Sequence, residues 1–101
     1  MQSLEIKKRI LEATKKIQDF QVILILWHGD GTYHAELEEG EEVINNYIEI
    51  YDNCNNNIYS EGFGKEDATT KDIDLLKAEQ KKMYNYLKKH FNNVIKKDMN
   101  I

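Results

Sequence analysis

The stretch Phe20 to Leu37, FQVILILWHGDGTYHAEL, sets the reading of the whole chain. Five of the six residues from Val22 to Trp27 are branched aliphatics and the sixth is tryptophan. The run is too short for the core of a helix and much too short to cross a bilayer, so it predicts a strand. Gly29-Asp30-Gly31 interrupts it, and from Thr32 to Leu37 apolar and polar residues alternate, which predicts the return strand of a β-hairpin. A three-residue loop with Gly31 left-handed in a bulge gathers Ile23, Ile25, Trp27, Tyr33, Ala35 and Leu37 on one apolar face. A two-residue turn at Asp30-Gly31 is the competing register, and it sends His28 and His34 to opposite faces. Under the favoured register the other face carries Val22, Leu24 and Leu26 against His34, Glu36 and Glu38. The first strand is then central, the second lies nearer an edge, and a further strand flanks the first.

Outward from the hairpin the periodicity changes to that of helices. Ser3 is placed to cap a first helix running to about Gln18, with Ile6, Ile10, Ala13 and Ile17 on one stripe and Leu4 and Leu11 turned away from it. Two stripes imply two partners, either the sheet and another helix or the sheet and a second subunit. Between Glu41 and Cys54, residues Val43, Ile44, Tyr47, Ile48, Ile50, Tyr51 and Cys54 fall within about 160° of a helical wheel, which predicts a middle helix. Simple alternation would set Asn45 and Glu49 beside Tyr47, and a pair of strands turning at Asn45-Asn46 is the competing reading. Ile58 to Phe63 suits a short strand and is a candidate neighbour of the first. Thr69-x-x-Asp72 has the form of a capping box. From Thr70 to about Lys97 a last helix is expected on the stripe Ile73, Leu76, Met83, Leu87, Phe91 and Val94, with Tyr84 and Ile95 beside it and only Gln80 interrupting its centre. The order predicts one α+β domain over residues 1–101: a small antiparallel sheet built on a central hairpin and packed by an N-terminal, a middle and a long C-terminal helix.

Composition narrows the function classes. The chain has 101 residues, no proline and one cysteine, Cys54, so an internal disulfide is excluded. Charges run through the first twenty residues without an apolar core segment, so no signal peptide is expected and a cytoplasmic protein is. The net charge of −4 is unevenly spread. Residues 1–26 hold five basic and three acidic side chains, residues 27–74 two and thirteen, and residues 75–101 seven and two.

Motifs that carry chemistry are weak. His28, Asp30 and His34 would need a third protein ligand, with His90 the remaining histidine, before a divalent metal were held. Gly62-Phe63-Gly64-Lys65 lacks the first glycine and the hydroxyl residue of a phosphate loop. Cys54 lies on the apolar arc of the expected helix, as a small core residue would. No enzyme activity, cofactor or metal is therefore expected. The expected function is that of a small acidic interaction protein, of the inhibitor or immunity type encoded by phages and mobile elements, occupying the basic surface of a partner protein. Glu36, Glu38, Glu39, Glu41, Glu42 and Glu49 are its candidate partner-binding residues. The alternatives are a nucleic-acid-associated protein using Lys81, Lys82, Lys88, Lys89 and Lys96, and a small metal-dependent enzyme. A homodimer is also expected. A helix from Thr70 to Lys97 would be roughly 42 Å long and overhang a globule about 33 Å across, leaving Met83, Leu87, Phe91, Val94 and Ile95 for self-association.

Overall fold

The run from Phe20 forms strand β1, Phe20–Gly29, and it lies inside a four-stranded sheet with neighbours on both edges. The computed structural model describes residues 2–29 and 37–100. In chain order the remaining elements are helix α1 (Gln2–Ala13), β2 (Val43–Asp52), β3 (Asn57–Thr69), a 3-10 turn at Thr70–Asp72, α2 (Ile73–Lys88) and β4 (Val94–Asn100). The sheet order is β3-β2-β1-β4; β1 runs antiparallel to β2 and parallel to β4, and β2 runs antiparallel to β3. The fold is α+β with two helices rather than three, and its sheet is mixed rather than purely antiparallel.

The return strand expected at Thr32 to Leu37 falls in residues 30–36 but for its last residue, outside those described, as does the conformation of Gly31; β1 pairs instead with β2 along its full length. The segment expected as a middle helix is β2. Ile44, Asn46, Ile48 and Ile50 alternate inward at 0 to 1% exposure, and this is a strand's period of two with a single asparagine in the buried row. That asparagine broke the apolar alternation in the sequence. Its Nδ2 donates to the Leu76 carbonyl at 3.0 Å, which is why a polar residue is tolerated inside. Asn45, Tyr47, Glu49 and Tyr51 do share one face, and among the described residues no helix covers it.

The β2–β3 pair is a hairpin. Asp52 Oδ1 accepts from the Cys54 amide at 3.0 Å and the Asn56 amide at 2.8 Å, and Asn55 takes the left-handed conformation at φ 65°. Cys54 is exposed at this tip and is no core residue. The strand expected at Ile58 to Phe63 is real and longer than expected, but its neighbour is β2, not β1.

α1 ends at Ala13, short of Gln18, with the Thr14 hydroxyl donating to the Ile10 carbonyl at 2.7 Å. The capping box at Thr69 and Asp72 is formed: the Thr69 amide donates to the Asp72 carboxylate at 3.1 Å. α2 stops at Lys88, well short of Lys97. The His90 and Phe91 amides both close on the Leu87 carbonyl, Phe91 packs edge-on to Phe20 with centroids 6.0 Å apart, and Asn93 hands its carbonyl to the Val22 amide at 2.9 Å to start β4.

Both helices cover one face of the sheet. Ile6 and Ile10 of α1 and Met83 and Leu87 of α2 form one cluster with Val22, Leu24, Ile48, Ile50, Phe63, Phe91 and Val94, and Leu76 joins Leu26, Ile44 and Ala68 in a second. Gln80 reaches the Leu24 carbonyl at 3.3 Å from Nε2. Met83, Leu87, Phe91 and Val94 are therefore interior to this chain and do not line a surface for self-association. The overhanging helix on which the dimer expectation rested is absent.

Candidate protein-binding surface

Strand pairing arranges the other face of the sheet in rows. Ile95, Ile23, Glu49 and Ser60 stand side by side across β4, β1, β2 and β3; Lys97, Ile25, Tyr47 and Gly62 form the next row; Met99, Trp27 and Asn45 the third. Among the described residues neither helix contributes a side chain here, because every helical core residue belongs to the clusters on the opposite side. Ile23 and Ile25 on this face are nevertheless only 7% and 3% exposed. Ile95 and Met99 are each 39% exposed.

The middle of this face is concave. Trp27 and Tyr47 meet edge to face, with centroids 6.4 Å apart and planes at 81°. Gly62 and Ser60 on the edge strand offer little bulk beside them, and a recess of about 340 Å³ opens among Ile25, Trp27, Tyr47, Glu49, Ser60 and Met99. Glu49 receives a long hydrogen bond from the Ser60 hydroxyl at 3.5 Å. Among the described residues no cationic side chain lies within ion-pair distance of it. Burial, and then the charge and hydrogen bonding of Glu49 on the same strand face, raise the Tyr51 hydroxyl above the ordinary tyrosine range.

The expected acidic surface is divided. Glu36 lies outside the described residues. Glu38 and Glu41 converge on Lys71, at 2.8 and 3.4 Å, so two of the carboxylates are already partnered. Hydrogen bonding to Lys71, and then its charge, hold Glu38 below the usual carboxylate range. Glu42 stands 3.7 Å from His28 Nδ1, and Glu39 is exposed. Glu49 is six residues further along β2 than Val43, about 20 Å away, and belongs to the uncovered face. Ile95, expected at a helical interface, joins it there. The sequence reading missed Trp27, Tyr47 and Met99 as a group, because they come together only through β1 pairing with β2 on one edge and β4 on the other.

The remaining candidates separate. His28 lies near the far end of β1, whereas His90 follows α2 beside the start of β1, with its ring 5.2 Å from Tyr86. The two are about 20 Å apart along the strand, so His90 cannot complete a site with His28; Asp30 and His34 are outside the described residues. At Gly64-Lys65 the Lys65 amide donates to the Glu79 carboxylate at 3.2 Å and its ammonium pairs with Asp72 at 2.7 Å, an arrangement that repels phosphate. Lys81, Lys82 and Lys88 are exposed on α2 and Lys89 is exposed at its C-cap, but Lys96 is in β4 with its ammonium 4.8 Å above the Tyr84 ring. Comparison with protein-family models, curated proteins and solved structures finds no match.

Proposed function

We propose that this chain is a non-catalytic protein-interaction module that works by docking a partner protein against the uncovered face of its sheet. The observation that carries the reading is that exposed Ile95 and Met99 and half-buried Trp27 and Tyr47 stand together on one face of the sheet, around buried Ile23 and Ile25, with no helix over it among the described residues. Apolar surface of this kind gains free energy when a partner removes it from water, and aromatic and methionine side chains are common anchors of such contacts. Glu49 within the face, and exposed Glu39 in the turn before β2, favour a basic partner. A small protein of this sort acts as an inhibitor-type ligand, by covering a surface its partner needs. The test compares affinity for the partner captured by the native chain between Trp27→Ala with Met99→Lys and a helix-layer variant with Lys81, Lys88 and Lys89 changed to glutamate. Loss in the first and retention in the second is expected; the reverse pattern would reject the sheet face.

A second reading has one specific observation behind it. Both helices lie on one side, and residues 2–18 and 73–89 each carry five basic and two acidic side chains, while the rest of the chain is strongly acidic. Such a layer suits phosphate contacts without base readout. Retardation of duplex or single-stranded nucleic acid that weakens steeply with salt, and that the lysine-to-glutamate variant abolishes, would establish it.

A further inference from the structure

We propose that the recess beside Tyr47 receives an arginine side chain of the partner, with its guanidinium held between aromatic rings and the Glu49 carboxylate. This inference rests on the sheet-face reading and gives it a chemistry. The lining is selective in kind: two aromatic rings set at 81° make adjoining walls, Ile25 and Met99 add apolar contact, and Glu49 is the one charged residue of the lining, with Lys97 outside it in the row that holds Ile25 and Tyr47. A neutral apolar side chain would leave that carboxylate facing it without a counter-charge, and an acidic one would be repelled. A cation satisfies both parts at once, because ring faces attract positive charge and a carboxylate accepts its hydrogen bonds. The planar guanidinium fits better than an ammonium, since it lies flat on a ring while its edge donates two parallel hydrogen bonds to one carboxylate. Ser60, 3.5 Å from Glu49, orients the carboxylate without neutralising it.

Trp27 is the only tryptophan, so its fluorescence reports on this recess alone. The probes are capped pentapeptides Val-Thr-X-Thr-Val in which X is arginine, citrulline, lysine or leucine, titrated to millimolar concentration against the whole chain and followed in parallel by Met99 methyl resonances. The arginine peptide is expected to bind about tenfold more tightly than its citrulline isostere. That preference should vanish in Glu49→Gln, which keeps the shape and removes the charge, and shrink in Tyr47→Leu, with circular dichroism confirming that both variants are folded. Equal binding of arginine and leucine peptides would overturn the arginine assignment while leaving the sheet face as a docking surface. A lysine peptide equal to arginine would overturn the guanidinium in particular. No response from any peptide would overturn the recess as a site, and the partner-affinity comparison of Trp27→Ala with Met99→Lys then judges the docking face independently.

Discussion

Asn46 is 1% exposed in a row otherwise made of isoleucines, and its two amide atoms fare differently. Nδ2 reaches the Leu76 carbonyl, but Oδ1 is buried with no hydrogen-bond partner. The residue therefore sits near the limit of what the core tolerates. Asn46→Asp would bury a carboxylate with no cation beside it and set an oxygen against the Leu76 carbonyl. We expect a loss of about 3 kcal/mol or more at pH 7, because burial disfavours the charged form. The sign follows from a folded-state pKa raised above the unfolded one: the penalty is present above the unfolded value and is relieved as pH falls below it. Thermal melts at pH 7 and pH 4 that show the same deficit would contradict this. Gly64 is the second residue under strict demand. It has φ +78°, and a Cβ there would lie 2.7 Å from the Glu79 carboxylate that holds the Lys65 amide. Gly64→Val should cost about 1 kcal/mol or more, through a β-branched residue at positive φ, and an unchanged denaturation midpoint would count against it.

At the scale of elements, the start of α2 and the return through β4 are the parts most open to test. The Asp72 carboxylate is held below its ordinary value first by its hydrogen bond from Lys65 and then by the Thr69 amide. A depressed folded-state value means stabilisation that is complete above the unfolded pKa and lost as pH falls through the folded one. Asp72→Asn should therefore lower the melting temperature at neutral pH, and the gap from the native chain should close as pH drops below 3.8. High salt should narrow it as well, since the pair is partly exposed. A gap that persists at pH 2.5 would show that the side chain acts sterically. β4 seals the second edge of β1 and buries Val94 to 2% exposure. Val94→Ala should destabilise by about 2 kcal/mol, with hydrogen exchange accelerated first in β4 and in the β1 amides that face it.

Among the described residues the molecule is a layer of helices rich in lysine on a sheet whose other side groups Trp27, Tyr47, Ile95 and Met99 with Glu49 and Lys97. That separation makes the functional readings independent. Trp27→Ala with Met99→Lys should lower the melting temperature by several degrees, because half-buried Trp27 packs on Tyr47, but leave the helix-side core and the fold intact, and should reduce partner affinity by about a hundredfold if Trp27 is a binding anchor. Lysine substitutions on α2 should not touch that affinity. Calorimetry of both variants against one captured partner checks the pair of expectations together.

Much of this architecture was legible in order along the chain. The continuous aliphatic run marked β1 as the central strand with a neighbour on each edge, the stripes at spacings of three and four marked α1 and the first half of the last helix, and Thr69-x-x-Asp72 marked the cap. These are local signals, set by side-chain period and by hydrogen bonds between residues close in sequence. What the tertiary structure decided lies where a distant partner changes the local balance. Asn46 reads as polar until Leu76, thirty residues away, gives its amide a carbonyl. Phe91 and Val94 continue a helical stripe, yet the open edge of β1 draws the chain out of the helix after Lys88 and into a parallel pairing that local period cannot express. The candidate site has the same origin. Trp27, Tyr47, Glu49 and Met99 lie on three strands spread over more than seventy residues, and only the register of those strands sets them around one recess. Period along the chain determined the elements; competition for the edges of β1 determined which of them met.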